Sequence, residues 1–544
     1  MTIGGDFLYR PETVREILYK SAERFGDRCA FTFLDGEGKK CEVSFKQFKN
    51  DVISLALTLV REKGEKNKAA IVSYNCYEWC VSYLACLSSG VVAVPVDREL
   101  SAEDIKDILD FAEVTTVFCD GKALKKLSNT GYRNFISFDD GEKGLYPLIR
   151  KGEALAREGF TLENEIDTDA LAVLLFTSGT TGNAKGVMLS NRNLCSDLYL
   201  VSENINLTPC DRSLSLLPLH HTYETMSFLM MLYCGGCIAF CGGIRYLNKG
   251  FQIFSPTVFV TVPLILEKLY EKLMGEIEKK GLRQKFRLAS LVSTAMGEEK
   301  RKKLFDDIHH FFGGRLQKFV VGAAPLQPSV AEAFETFGFK VVIGYGLTEC
   351  SPIVICNSVD DTSPDTVGRP LKEVEVKIDS PDEKGIGEIL IKGPMVMQGY
   401  YKNEKATNGV FRDGWFCTGD LGRVDKNGRY RISGRSKNVI VTKNGKNIYP
   451  EELEYRLNKN HFIAESLVFA EKGDIISCEI FPDIEAIKSK LKKSILTEDE
   501  TKSVINEAVR SINRTLPSYK RIKKVTLRKD DFDKTTTHKI KRKY

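Results

Sequence analysis

Short uncharged apolar runs recur along this chain, at 69–73, 91–96 and 115–119, and amphipathic stretches such as 45–62 alternate with them. A strand that is apolar on both faces must be covered on both faces, and helices between successive strands supply that cover. The pattern therefore predicts α/β layers with parallel sheets. Further strand candidates stand at 171–176, 237–240, 258–262, 319–321 and 340–343, and 264–313 reads as purely helical with long charged faces.

After about residue 366 the pattern changes to short alternating strands at 374–378, 387–392 and 429–432, the last preceded by the turn Lys426-Asn-Gly428. This predicts a small β-rich subdomain over about 366–434, packed on the α/β body. From Asn447-Ile-Tyr-Pro-Glu-Glu452 a helix begins with proline near its first turn. The expected organisation is a large N-terminal body, 1–434, and a smaller α+β C-terminal domain, 435–544, with the boundary in the polar segment 435–437.

A length of 544 residues accommodates a large core, and 42% hydrophobic with 28% charged residues are ordinary globular values. Residues 1–10 carry no apolar leader, and no uncharged run is long enough to span a bilayer. With fifteen scattered cysteines read as reduced thiols, a cytoplasmic protein is expected. A net charge of +6 does not imply nucleic acid. Eleven basic residues crowd 520–543 against Asp530, Asp531 and Asp533. Two readings stay open for that tail: a solvated face, or contact with a polyphosphate ligand or an anionic membrane surface.

The run Thr-Ser-Gly-Thr-Thr-Gly-Asn-Ala-Lys-Gly at 177–186 follows the candidate strand 171–176. Its glycines let backbone amides approach anionic oxygen, its hydroxyls add donors, and Lys185 adds a full charge. A P-loop ATPase would need glycine before that lysine and Ser or Thr after it, where Ala184 and Gly186 stand. No G-x-S-x-G hydrolase elbow occurs, nor the H-R-D and D-F-G elements of a protein kinase.

The loop resembles the first signature of the adenylate-forming superfamily of acyl-CoA synthetases, luciferases and peptide-synthetase adenylation domains. Four further matches follow in order: Gly344-Tyr-Gly-Leu-Thr-Glu349, Trp415-Phe-Cys-Thr-Gly-Asp420, Gly434-Arg435, and Lys534-Thr-Thr-Thr-His-Lys539-Ile540. The stretch from Gly387-Glu-Ile389 to Gly399-Tyr-Tyr401 also fits, so the likeness covers nearly the whole chain. The resemblance implies a carboxylate attacking the α-phosphorus of ATP, with pyrophosphate leaving and an acyl-adenylate forming. A thiol, such as that of coenzyme A, then attacks the mixed anhydride.

The residue roles come with the resemblance. Thr177, Ser178, Gly179, Thr180, Thr181, Gly182 and Lys185 would clamp pyrophosphate. Gly322, Ala323 and Ala324 offer a flat backbone to adenine, Tyr345 packs on it, Gly346 belongs to the same nucleotide-binding set, and Thr348 bonds a phosphate or acyl oxygen. Glu349 and Thr180 are the magnesium ligands, Mg2+ preferring one or two carboxylates with phosphate oxygens. Asp420 accepts the ribose hydroxyls and Arg435 adds a donor. Lys539 offsets repulsion at the site of attack, although His538 stands where the family has glycine. Lys437 takes the hinge position of a C-terminal domain that rotates between half-reactions, and Lys443 and Gly445 approach the thiol channel.

The segment Leu217-Pro-Leu-His-His-Thr-Tyr-Glu224 resembles the closing side of an acyl pocket, with His221, Tyr223 and Met226 its candidate residues. Together with 264–313 it looks most like the long-chain fatty acid–CoA ligases. A medium- to long-chain fatty acid is the expected substrate, and coenzyme A or an acyl carrier protein the acceptor. A rival reading takes Cys234-Gly-Gly-Cys237, Cys241 and the histidine pair as a metal or redox site, although four zinc ligands are not evident. Peripheral membrane contact and the oligomeric state stay open.

Overall fold

The computed structural model describes residues 9–544 except 64–66, 133, 140, 142–143, 178–184, 282, 294–295, 442–446, 472–474, 535–539, 541 and 543–544. The chain divides into two compact units, Met1–Glu375 with Ile391–Phe416, and Val376–Leu390 with Cys417–Tyr544. The β-rich stretch expected to stay whole with the N-terminal body is thus shared between the units. Its residues 376–390 and 417–434 go with the C-terminal part.

The first unit holds two large sheets. One runs in the order Gly399–Tyr400, Lys185–Ser190, Leu171–Thr177, Val92–Pro95, Lys68–Val72, Thr116–Cys119, Phe135–Ser137. The other runs Arg369–Pro370, Ile353–Cys356, Lys340–Gly346, Lys318–Val321, Val258–Thr261, Arg212–Ser215, Cys237–Phe240, Cys29–Leu34, Lys40–Ser44. Their central strands pair in parallel, as the doubly buried apolar runs require. Helix Tyr77–Ser89 is buried at nearly every position, so no polar stripe is needed and none is present.

The outer strands depart from the parallel expectation. Lys185–Ser190 returns antiparallel to Leu171–Thr177, and Ile353–Cys356 antiparallel to Lys340–Gly346. Both connections are too short for a parallel crossover, which takes a dozen or more residues, so a hairpin is the only closure open to them. The expected helical stretch at 264–313 breaks into Pro263–Lys279, Arg283–Ser293, Glu298–Leu304 and Asp306–Phe311.

The second unit has its own core, with Leu453, Leu457, Val468, Ile476, Ile480 and Ile505 packed together. Strands Ile463–Glu471 and Ile475–Pro482 pair antiparallel, and Lys524–Leu527 joins the latter in parallel. Proline stands in the first turn of helix Pro450–Asn458, as expected. Among the described residues no helix is long and apolar enough to cross a membrane.

Candidate active site

The hairpin at 177–186 and the turn at 346–352 both come off the antiparallel margins of the sheets. Thr177 stands opposite Lys185 in the ladder, so the two ends of the glycine- and hydroxyl-rich run leave the sheet side by side. Ser178, Gly179, Thr180, Thr181 and Gly182 lie outside the described residues. Strand Gly399–Tyr400 pairs with the other edge of Lys185–Ser190, with Tyr400 opposite Val187 and the Tyr401 amide donating to Gly186 O at 2.7 Å. This register sets Lys185 Nζ 4.8 Å from the centre of the Tyr400 ring. The Tyr400 hydroxyl donates to Glu349 Oε1 at 2.9 Å.

Glu349 is held from its backbone as well. It sits in the single 3-10 turn Thr348–Cys350, and its carbonyl accepts from Met397 N at 2.8 Å. Ser351 Oγ donates to Met395 O at 2.8 Å, and the Asn193 amide donates to Pro394 O and Val396 O at 2.8 and 2.9 Å. The buried Asp197 accepts from Ile353 N at 3.2 Å, and burial pushes its carboxyl well above the usual range. Gly346 has no substitute at the start of this turn, because a Cβ there would lie 1.8 Å from Pro352 O. Thr177, Lys185, Thr348 and Glu349, separated by up to 172 positions, are thereby tied to one network through Tyr400.

Strands Lys318–Val321 and Lys340–Gly346 run parallel with Val321 opposite Ile343, so Gly322-Ala323-Ala324 and Gly344-Tyr345-Gly346 emerge next to each other. Carboxyl ends of parallel strands are where open α/β sheets take ligands. Ala323 has φ 71°, a left-handed conformation, and Ala324 is exposed. A Cβ on Gly322 would sit 3.3 Å from the Tyr223 ring, whose hydroxyl donates to Val320 O at 3.1 Å. Tyr223 therefore braces the turn that begins at Gly322.

His221 caps the apolar helix Thr222–Cys234 through its backbone, its carbonyl accepting from Glu224 N and Thr225 N at 3.1 Å each. The neighbouring His220 ring is 4.3 Å away centre to centre. Burial pulls His220 down to about 3, so it is neutral, and Asp97 at 3.8 Å gains no ion pair from it. Met226 is buried in the wall between two cavities of about 10 and 20 Å³. The larger is lined by Tyr223, Met230, Met231, Val260, Val320 and Ile353. One water needs roughly 10–15 Å³, so an acyl chain enters only if these side chains repack, and methionines do so readily.

In the second unit Asp420 stands opposite Arg435 on paired strands, and Arg435 Nε donates to Asp420 Oδ1 at 2.6 Å. Asp420 is buried with its amide on Thr418 Oγ1 at 2.9 Å, whereas Arg435 is about half exposed. Gly434 has φ 148°, and a Cβ there would meet Glu451 Oε2 at 2.5 Å. Lys437 lies within the 3-10 turn Ser436–Asn438 of the second unit. Lys443, Gly445 and Lys539 lie outside the described residues.

Five of the tail's eleven basic residues pair with carboxylates of their own unit. Lys524 pairs with Glu471 at 2.8 Å and Arg528 with Glu479 at 2.9 Å. Lys520 pairs with Glu452, Lys534 with Glu465, and Arg542 with Glu454. These ion pairs bind the tail to its own unit, a role that neither reading of the sequence included. The segment Cys234-Gly-Gly-Cys237 is a helix end, a left-handed glycine and a strand start. No cluster of three or more metal-ligating side chains occurs among the described residues. A single carboxylate such as Glu349 suits a magnesium ion that arrives with phosphate oxygens, not one caged by protein alone.

Tyr400 is the participant that reading the residues missed. Its segment fitted the family pattern, but nothing local separates it from Tyr401, whose hydroxyl goes instead to Glu113 at 3.0 Å.

Comparison with known proteins adds to this geometry. A family model described as AMP-binding enzyme matches residues 18–401, and one described as AMP-binding enzyme C-terminal domain matches 437–544. The chain is 32% identical to long-chain-fatty-acid–CoA ligase 5 of Rattus norvegicus, over 82% of this chain and 72% of that protein. It is 26% identical to a chloroplastic long-chain-fatty-acid–[acyl-carrier-protein] ligase of Arabidopsis thaliana, over 90% of this chain and 80% of that one. An anthranilate CoA ligase solved with anthranoyl-AMP superposes with TM-score 0.77 at 19% identity, covering 99% and 97% of the two chains. An o-succinylbenzoate coenzyme A synthetase of Bacillus subtilis, solved with ATP and magnesium, gives 0.72 at 23%, covering 97% and 98%.

Proposed function

We propose, from the premise that the chain belongs to the AMP-binding enzyme family and is an AMP-forming acid–CoA ligase, that its acid is a medium- to long-chain fatty acid. The observation that carries this choice is the methionine-lined apolar interior beside helix Thr222–Cys234: among the described residues its two cavities are lined by no Asp, Glu, Lys or Arg, and the helix's one carboxyl, Glu224, is taken up by Ser215. The rat relative, named for long-chain fatty acids, supports the same choice.

Two anions must meet in the first half-reaction, so positioning and charge neutralisation supply most of the rate. Lys185 holds the departing pyrophosphate together with the 177–182 hydroxyls and amides. Its place over the Tyr400 ring limits the conformational freedom it must give up. Asp420 takes the ribose hydroxyls, its carboxylate already oriented by Arg435. Gly322, Ala323 and Ala324 lie along adenine, and Tyr345 covers it. Lys539 stands by the attacking carboxylate. Glu349 and Thr180 would hold a magnesium ion, which would supply charge neutralisation on the phosphate oxygens. Lys437 acts as the hinge for the second half-reaction, in which Lys443 and Gly445 line the approach of the thiol. His221 closes the acyl side of the site. A cytoplasmic location with peripheral membrane contact suits a fatty acid drawn from a bilayer.

The acceptor is coenzyme A; the Arabidopsis relative supports an acyl carrier protein as the second reading. Carboxylate-dependent AMP formation, run over a fatty-acid chain series with coenzyme A and with carrier protein, tests all of this. The expected optimum falls among saturated medium to long chains with coenzyme A. An optimum on short or aromatic acids overturns the substrate, and AMP release only with carrier protein overturns the acceptor.

A further inference from the structure

Away from the nucleotide and acyl residues, three strands of the nine-stranded sheet bring two thiols and a guanidinium into one row. Cys29 Sγ and Cys237 Sγ lie 3.4 Å apart, both as free thiols. Regular pairing would not do this. Phe31 stands opposite Ile238, so one step back along both strands sets Ala30, not Cys29, opposite Cys237. Side chains alternate faces along a strand, and Cys29 would then point away. An irregularity in pairing with strand Lys40–Ser44, between Cys29 and Phe31, turns Cys29 onto the Cys237 face. Such bulges re-aim single side chains.

On the other side of Cys237 its direct partner in the ladder is Arg212. The hydrogen bond from Cys29 holds the Cys237 thiol below its ordinary range against the effect of burial, and the Arg212 charge acts in the same direction. Cys29 is the more exposed of the two, so a small reagent has a path to the pair from its side.

We propose that Cys29 and Cys237 are a reversible oxidation site that closes to a disulfide on reaction with a hydroperoxide. The Cys237 thiolate attacks one peroxide oxygen; an S–O bond forms, the O–O bond breaks, and alcohol or water leaves after protonation. The Cys29 sulfur then attacks the sulfenic sulfur. The S–S bond forms as hydroxide leaves and takes the Cys29 proton as water. Two thiols lose two electrons, the peroxide gains them, and an external dithiol reverses the change. The sulfurs need to approach by about 1.4 Å to reach a bond length of about 2.05 Å.

The full chain, treated with hydrogen peroxide, alkylated and mapped by mass spectrometry, tests this. The expected product is a cross-linked Cys29–Cys237 peptide pair, lighter by two hydrogens and lost on dithiothreitol treatment. In C29S, Cys237 is expected to accumulate as a sulfenic acid that dimedone traps. Recovery of Cys29 and Cys237 as alkylated thiols while other cysteines oxidise would overturn the proposal. So would dimedone labelling of Cys29 in C237S with none on Cys237 in C29S.

Discussion

The Tyr400 hydroxyl donates a 2.9 Å hydrogen bond to Glu349 Oε1 while its ring lies 4.8 Å from Lys185 Nζ. One tyrosine thus touches both the carboxylate assigned to magnesium and the lysine assigned to pyrophosphate. Removing its hydroxyl in Y400F costs about 1.5 kcal/mol of orientation at a charged acceptor, roughly tenfold in the magnesium concentration for half-maximal ATP binding. Magnesium titration followed by nucleotide fluorescence measures it. An unchanged midpoint means Glu349 needs no help from Tyr400.

Arg435 reaches the buried Asp420 from a half-exposed position, where water screens its charge and limits what it adds to stability. R435A is therefore expected to shift the unfolding midpoint little and to weaken ATP binding clearly. Calorimetry on the same variant reports both quantities. A large stability loss with intact affinity would make the pair structural.

Burial pushes Glu224 up to about 8, although Ser215 Oγ donates to it at 2.5 Å. Its folded value is above its unfolded one, so the stability it contributes is full below about pH 4.3 and is lost as pH rises through 8. E224Q cannot ionise. The wild-type protein should lose stability relative to E224Q between pH 6 and 9, on the order of a few kcal/mol. Urea unfolding at the two pH values checks it, and parallel curves would show that Glu224 is already ionised at pH 6.

Lys539→Ala is expected to block acyl-adenylate formation from the free acid while sparing thioester formation from preformed adenylate. Pyrophosphate release and thioester yield, measured separately, divide the two steps. Persistent pyrophosphate release would remove Lys539 from the reaction.

Lys437→Pro is expected to slow thioester formation far more than adenylation, because proline restricts the backbone rotation a hinge needs. Single-turnover assays of each half-reaction decide it. Equal loss in both would locate the damage in folding of the turn Ser436–Asn438.

Much of this protein was legible before its structure. Apolar runs of strand length specified the buried strands of the two large sheets, with 237–240 matched residue for residue, and the alternating pattern with its glycine turns specified 387–392 equally well. The ordered motifs likewise identified the chemistry, since phosphate, ribose and carboxylate each need particular side chains. Local sequence could not decide which way a strand returns after a loop, which of two adjacent tyrosines turns inward, or whether a basic tail finds acids on its own unit. Those outcomes depend on what the rest of the chain brings alongside. The antiparallel return at Lys185–Ser190 created the edge on which Tyr400 pairs. Helix Pro450–Asn458 and strand Ile463–Glu471 supplied Glu452, Glu454, Glu465 and Glu471 to the tail lysines and arginines. Residue types determined what the site can do; long-range packing decided which of them meet.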